Sequence, residues 1–384
     1  IRLHQPSINV LMEFNIRQWL KTASLAGGFT LFNGLSGIQA LSAEEIKKYN
    51  PRKLENPIRL SSNENPYGPS ERIRNAVKKA FDDGCRYPYE YADELAELLA
   101  KKHGVSSESI IITGGSTEGL KIAGITFTAD GGEIIAAKPT FLAMMQYAEM
   151  WGANINWVPV DTNYGYDLQE IEKRISSKTK MVFLCNPNNP TSTLLPSNTL
   201  TDFCSSVSKK TIVFSDEAYY DYIEDPNYPS MIELVKKDEN VIVSKTFSKV
   251  YGMAGMRIGY LIAKPELAQI IRRNVVAMSN VYAIEGAKEA LLDTDFYNFS
   301  IQKNKEAKQI IYNTLDHLEL DYVKSHTNFV FFKSGRNIND LGKDMLAKGV
   351  RIGRAFPPFL DHCRISTGTI EEVQLFSKSL ISLY

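Results

Sequence analysis

From Arg52 onward, short runs of consecutive apolar, mostly β-branched residues alternate with longer stretches whose apolar positions recur every three or four residues. The runs are Ile110 to Ile112, Glu133 to Ala136, Ile155 to Val160, Met181 to Cys185, Thr211 to Phe214, Val241 to Ser244 and Arg257 to Ile262. They are too short for helices and too continuously apolar for strands with a wet face, so they predict strands buried on both sides. Asp93 to Lys102, Leu168 to Ile175 and Asn198 to Ser208 carry the helical period between them. Such alternation predicts an α/β unit with a mostly parallel sheet covered by helices on both faces. After Pro265 the pattern changes. A long helical stretch is expected to Leu318, then strands at Asn328 to Phe332 and Arg364 to Ser366, giving a smaller α+β domain at the C-terminus. The organisation read from this is a targeting segment at 1–43, an arm at 44–75, a large domain at 76–280 and a small domain at 281–384.

The first 43 residues differ from the rest. Arg17, Trp19 and Lys21 precede a run without charge from Thr22 to Leu41, and Ser42 and Ala43 follow it. A basic start, a short apolar stretch and small residues near a cleavage point are the order of an export signal. The segment resembles a twin-arginine signal with Ile16 in place of the first arginine, which implies a periplasmic or exported protein. The alternative is a helix packed on the body of a cytoplasmic one. Gly27, Gly28, Gly34 and Gly37 interrupt the run, which speaks against a stable membrane span.

Charge narrows the partners. Lys and Arg total 44, as do Asp and Glu, so the net charge is zero and no single-sign field is available for nucleic acid. The four cysteines, Cys85, Cys185, Cys204 and Cys363, have neither the spacing of a zinc site nor that of a disulfide framework. No metal is expected, and His362 beside Cys363 reads as structural.

In a parallel sheet, ligands gather at the carboxyl ends of strands, and the informative residues fall there. Thr113-Gly114-Gly115-Ser116-Thr117 is a glycine turn with hydroxyls leading into a helix, a suitable place for a phosphate. It matches neither a Walker loop nor a dinucleotide fingerprint, which excludes a dehydrogenase reading. Asn186 to Thr191, Asp216-Glu217-Ala218-Tyr219 and Ser248-Lys249 with Arg257 follow the next strands. Each piece alone is an ordinary turn, acid or lysine; their succession at consecutive strand ends is not required by solubility.

Together with Ser62 to Ser70, Tyr87-Pro88, Pro139-Thr140-Phe141 and Cys363-Arg364-Ile365-Ser366, these segments resemble the fold-type I, pyridoxal 5′-phosphate (PLP) dependent class I/II aminotransferases, nearest the histidinol-phosphate aminotransferase branch. The resemblance implies transfer of an amino group between an L-amino acid, or an amine like histidinol phosphate, and a 2-oxo acid. The alternative on the same fold is a PLP-dependent decarboxylase or oxidase. A PLP-fold protein that binds without turnover is disfavoured by the intact Lys249, Asp216 and Arg257.

By the same resemblance, Lys249 bonds the cofactor and moves the substrate proton, Asp216 faces the pyridine nitrogen, and Asn189 and Tyr219 bond the ring hydroxyl. Phe141 stacks on the ring, and Gly115, Ser116, Thr117, Ser248 and Arg257 hold the phosphate. Arg364 clamps the substrate carboxylate, with Asn189 beside it. Tyr67 reaches the phosphate from the neighbouring subunit, which implies a homodimer. The family's glycine after Asn-Pro-Thr is Ser192 here, and Lys245 lies four residues before Lys249 as a second candidate lysine.

Overall fold

A computed structural model describes residues 55–384; the targeting segment and residues 44–54 of the arm lie outside the described residues. The centre is a seven-stranded sheet made of β2 (Ile110–Thr113), β3 (Glu133–Lys138), β4 (Asn154–Pro159), β5 (Thr179–Cys185), β6 (Ile212–Asp216), β7 (Val241–Thr246) and β8 (Gly259–Ala263), in the order β2-β8-β7-β6-β5-β3-β4. All neighbours are parallel except β8, which runs antiparallel to both β2 and β7. Two reversals leave β2 pointing the same way as β7, so the loop after β2 opens on the same edge as those after β3, β5, β6 and β7. That edge carries the polar segments.

Alternation along the strands divides the core into two layers. Ile135, Val182, Leu184, Val213 and Val243 pack on one face, and Ile134, Ala136, Phe183, Phe214 and Ile242 on the other. Helices cover both, as the unbroken apolar runs require. The chain is of the α/β class expected.

Two departures from the expected elements have clear causes. The stretch from Pro265 to Leu318 is three helices, Pro265–Arg272, Val281–Leu292 and Thr294–His317. Asn280 and Asp293 cap the second and third through their side chains, so the breaks are set by capping rather than by Gly or Pro. Arg257 lies outside β8, with φ 56° in the left-handed region, which turns its side chain toward the loop after β2.

Beyond the main sheet, β9 (Phe329–Lys333) pairs antiparallel with β11 (His362–Ser366). A two-residue strand in the arm, β1 (Ile58–Arg59), pairs in parallel with β10 (Val350–Arg351), and Ser366 N donates to Leu60 O at 3.0 Å. The arm is thereby fixed to the C-terminal unit. All four cysteines are free, and among the described residues there is no metal-binding cluster and no helix long and apolar enough to cross a membrane.

Candidate active site

The strand-end loops enclose a cavity of about 570 Å³. Its walls include Ser116, Thr117, Phe141, Asn189, Asp216, Tyr219, Ser248, Lys249, Arg257 and Arg364, so ten of the expected site residues meet in one place. Gly115 immediately precedes Ser116 as the N-cap of its helix.

At one end is an anion cradle. The helix Ser116–Thr128 begins there with Gly115 as its N-cap at φ +86°, and a Cβ on Gly115 would collide with the Arg257 guanidinium. Arg257 is steered by its own bonds, Nη2 to Gly114 O at 3.1 Å and Nη1 to Ala254 O at 2.7 Å, with Ser248 Oγ at 3.5 Å. A helix N-terminus, three hydroxyls and a guanidinium form the donor set that a phosphate needs.

Asp216, the last residue of β6, is buried at the cavity floor. Removal from water, partly offset by the Ala218 N–H and by Lys249, pushes its carboxyl up to about 7. Lys249 is brought down to about 8, first by burial, then by the charge of Arg364, against the opposing pull of Glu64 and Asp216. Its Nζ donates to Asn63 O at 3.2 Å and lies 5.3 Å from the centre of the Tyr219 ring. An amine so lowered is neutral for part of the time near neutral pH, as a nucleophile or proton carrier must be.

Asn63 has a larger part than the sequence reading gave it. Its Nδ2 donates to Tyr219 Oη at 2.9 Å, its backbone oxygen receives Lys249, and its Oδ1 and N–H both engage Ser366 Oγ at 2.8 Å. The backbone at Asn63 is left-handed, φ 55°, a conformation that Asn tolerates better than most residues. That preference, inside the Ser62 to Ser70 segment, is the signal by which it could have been found.

Arg364 is buried and donates through Nη1 to Asn189 Oδ1 at 2.7 Å and through Nη2 to Ser61 O at 2.5 Å. Its Nε has no partner. Burial lowers its pKa to about 10. Phe356 is close to two guanidiniums, with Arg364 at 4.9 Å and Arg354 at 4.3 Å from its ring centre. Arg351 and Arg354 also line the cavity and were not singled out from sequence. Among the described lining residues the only carboxylate is Asp216.

Two further residues singled out from the sequence take definite positions. Tyr67 does not point out of its own chain: it is 3% exposed, its hydroxyl accepts from Ile370 N at 3.2 Å, and its ring meets Phe299 edge-on at 5.2 Å. Its ring is buried and its hydroxyl bonds a helix start of its own chain. Lys245 points away from the cavity and pairs with Glu217 at 2.8 Å, which leaves Lys249 as the cavity lysine.

Residues 55–380 match the family described as aminotransferase class I and II. A histidinol-phosphate aminotransferase of Caldicellulosiruptor saccharolyticus is 36% identical over 336 residues, covering 85% of this chain and 92% of its own. A crystal structure from Erwinia carotovora atroseptica with the same assigned activity is 31% identical, with a TM-score of 0.82 over 90% of this chain and 98% of that one. The histidinol-phosphate aminotransferase of Sinorhizobium meliloti, solved in complex with pyridoxal-5′-phosphate, is 25% identical with a TM-score of 0.78, covering 91% and 96%.

Proposed function

This chain belongs to the class I and II aminotransferases, and from that premise we propose that the amine it deaminates carries a phosphate, as in the substrate for which its histidinol-phosphate relatives are named. PLP is its cofactor and transamination its reaction. The cradle at Gly115, Ser116, Thr117, Ser248 and Arg257 suits the cofactor phosphate, and a side chain at Gly115 would displace the Arg257 guanidinium. When bound, the cofactor supplies an electron-withdrawing ring for the substrate Cα.

The chain's own residues supply the rest. Asp216 is placed to hold a proton on the ring nitrogen, since a carboxylate with raised proton affinity binds a cationic N–H strongly in a dry site. Asn189 and Tyr219 present their polar atoms side by side at 3.4 Å to fix the ring oxygen. Lys249, with its amine near 8, takes the proton from the substrate and returns it.

The observation that carries the substrate reading is the cluster Arg351, Arg354 and Arg364 on a cavity whose single carboxylate is buried Asp216. Arg354 bonds only the backbone oxygen of Ala355, at 2.8 Å, and so keeps donors for a ligand. Arg364 receives the anionic end of either substrate in turn, phosphate or 2-oxo acid carboxylate. Single-turnover kinetics with histidinol phosphate, histidinol and a panel of L-amino acids tests this. Histidinol phosphate should react fastest, and Arg354→Ala should raise its KM roughly 10- to 100-fold, the loss of a charge-assisted contact, with little effect on histidinol. Equal rates with and without the phosphate would reject the reading.

Homodimerisation is part of the same proposal. Its support is the exposed series Phe81, Tyr87 and Tyr89, at 70%, 81% and 62%, with Phe81 stacked on Tyr282 at 5.5 Å. Large rings exposed together mark an interface. Sedimentation should give a dimer, and Phe81→Lys combined with Tyr87→Lys should give monomers. For residues 1–43 we propose export with cleavage, which N-terminal sequencing of protein from fractionated cells decides; an intact N-terminus confined to the cytoplasm would refute it.

A further inference from the structure

Directly behind the cofactor side of the sheet, Glu217 and Lys245 form an ion pair at 2.8 Å, with side chains 3% and 12% exposed. They are neighbours because Glu217 N donates to Ser244 O at 2.9 Å, extending the β6-β7 ladder past Asp216. The Glu217 carboxylate also accepts from Ser230 Oγ at 2.7 Å and Met231 N at 2.8 Å. Lys245 Nζ sits 4.0 Å from the centre of the Tyr220 ring.

The charged and titratable surroundings are few. Toward the pair face Lys102 and His103 from the helix Tyr89–His103, Tyr260 from β8, and Asp221, Tyr228 and Cys204. His103 is brought down to about 3, by burial first and then by the charge of Lys245, so it stays neutral and does not compete for Glu217. On the cavity side, Asp216 faces Lys249, Cys185 and the Ala218 N–H, and the charge of Glu217, one residue away, acts against its ionisation. Tyr166 and Tyr219 feel the charge of Asp216 in turn.

We propose that Glu217 and Lys245 are a positioning pair for transamination: they tie the ends of β6 and β7 together behind the cofactor and cancel a second carboxylate beside Asp216, setting the proton balance of the site from the far side of the sheet. The proposal rests on Asp216 and Lys249 serving the cofactor. A buried carboxylate without its partner keeps its full charge effect on neighbours, because little water is present to screen it. Removing Lys245 therefore leaves a net negative charge next to Asp216, and removing Glu217 leaves a net positive one. Removing both returns the region to neutrality.

The test uses the cofactor-loaded enzyme without substrate, so that a wrong substrate assignment cannot affect it. The pH midpoint of the bound cofactor's absorbance reads the proton at the Lys249 nitrogen. Lys245→Met should raise that midpoint by about one pH unit, Glu217→Gln should lower it by a similar amount, and the double variant should return it to within about 0.3 unit of the parent. Should Lys245→Met fail to fold, Glu217→Gln and the double variant still give different expectations, a lowered midpoint against the parent's. Midpoints that all match the parent, or single variants that shift in the same direction, would overturn the proposal. A merely structural pair would lower the urea midpoint of both single variants without that opposition, and that result overturns it too. Loss of that pH-dependent absorbance change in Lys249→Ala separately checks the underlying assignment.

Discussion

Arg364 Nη1 and Asn189 Oδ1 are 2.7 Å apart although 175 residues separate them in the chain. Asn189 then turns its Nδ2 to Tyr219 Oη at 3.4 Å. One amide thus connects the guanidinium proposed to receive substrate to the hydroxyl proposed to face the cofactor. Asn189→Ala removes both bonds and should lower kcat/KM by roughly 10- to 100-fold, with the loss shared between KM and kcat. Steady-state kinetics at several substrate concentrations checks this; a change in KM alone would mean the amide serves only Arg364.

Lys249→Ala should retain the fold and the cradle but lose the covalent link to PLP and all turnover. Lys245→Ala should keep the link, because its amine points away from the cavity toward Glu217. Absorbance of the bound cofactor and mass spectrometry after borohydride reduction distinguish the two.

Asp216→Asn should act in opposite directions on activity and on the stability of the apo-protein. The carboxyl ionises near 7 in the fold and near 3.8 when unfolded. A raised acid binds its proton more tightly in the folded state, so its contribution is present below the unfolded value and is lost as pH rises to about 7. The amide never ionises and avoids that loss. At pH 8 the apo variant should be more stable by about 1–3 kcal/mol, with the gain vanishing near pH 4. Its turnover should fall sharply, because an amide cannot hold the ring nitrogen's proton. Urea melts across pH and single-turnover rates measure the two effects.

Ser192 stands where the family has glycine, at φ 61°, fully buried and with its hydroxyl unpartnered. Both features cost stability. Ser192→Gly should stabilise the protein by about 1 kcal/mol, while Ser192→Ala relieves only the hydroxyl and should gain less. A Ser192→Gly urea midpoint no higher than that of the parent would contradict the strain.

The main sheet was legible because its strands are short, largely apolar runs, as at Met181 to Cys185 and Val241 to Ser244, and the polar segments at their ends could be read in order. Arg351 and Arg354 were not legible. They reach the cavity through the pairing of β1 with β10, a contact between segments nearly 300 residues apart that no local pattern encodes. Asn63 was inside a recognised segment, but its bonds to Tyr219, Lys249 and Ser366 arise from three distant elements. Tyr67 was inside the same recognised segment, and its contacts with Ile370 and Phe299 likewise come from distant elements.

The pairing of Ile58 and Arg59 with Val350 and Arg351, and of Leu60 and Asn63 with Ser366, also sets a timetable for synthesis. The seven central strands, from 110 to 263, leave the ribosome together and can pair as they appear. The earliest described segment cannot settle, because its partners are made last, and closing so long a loop is the slowest kind of contact to form. A nascent chain therefore has its central sheet before it has a complete catalytic cavity, and residues 58–63, although made before that sheet, are among the last to take their places.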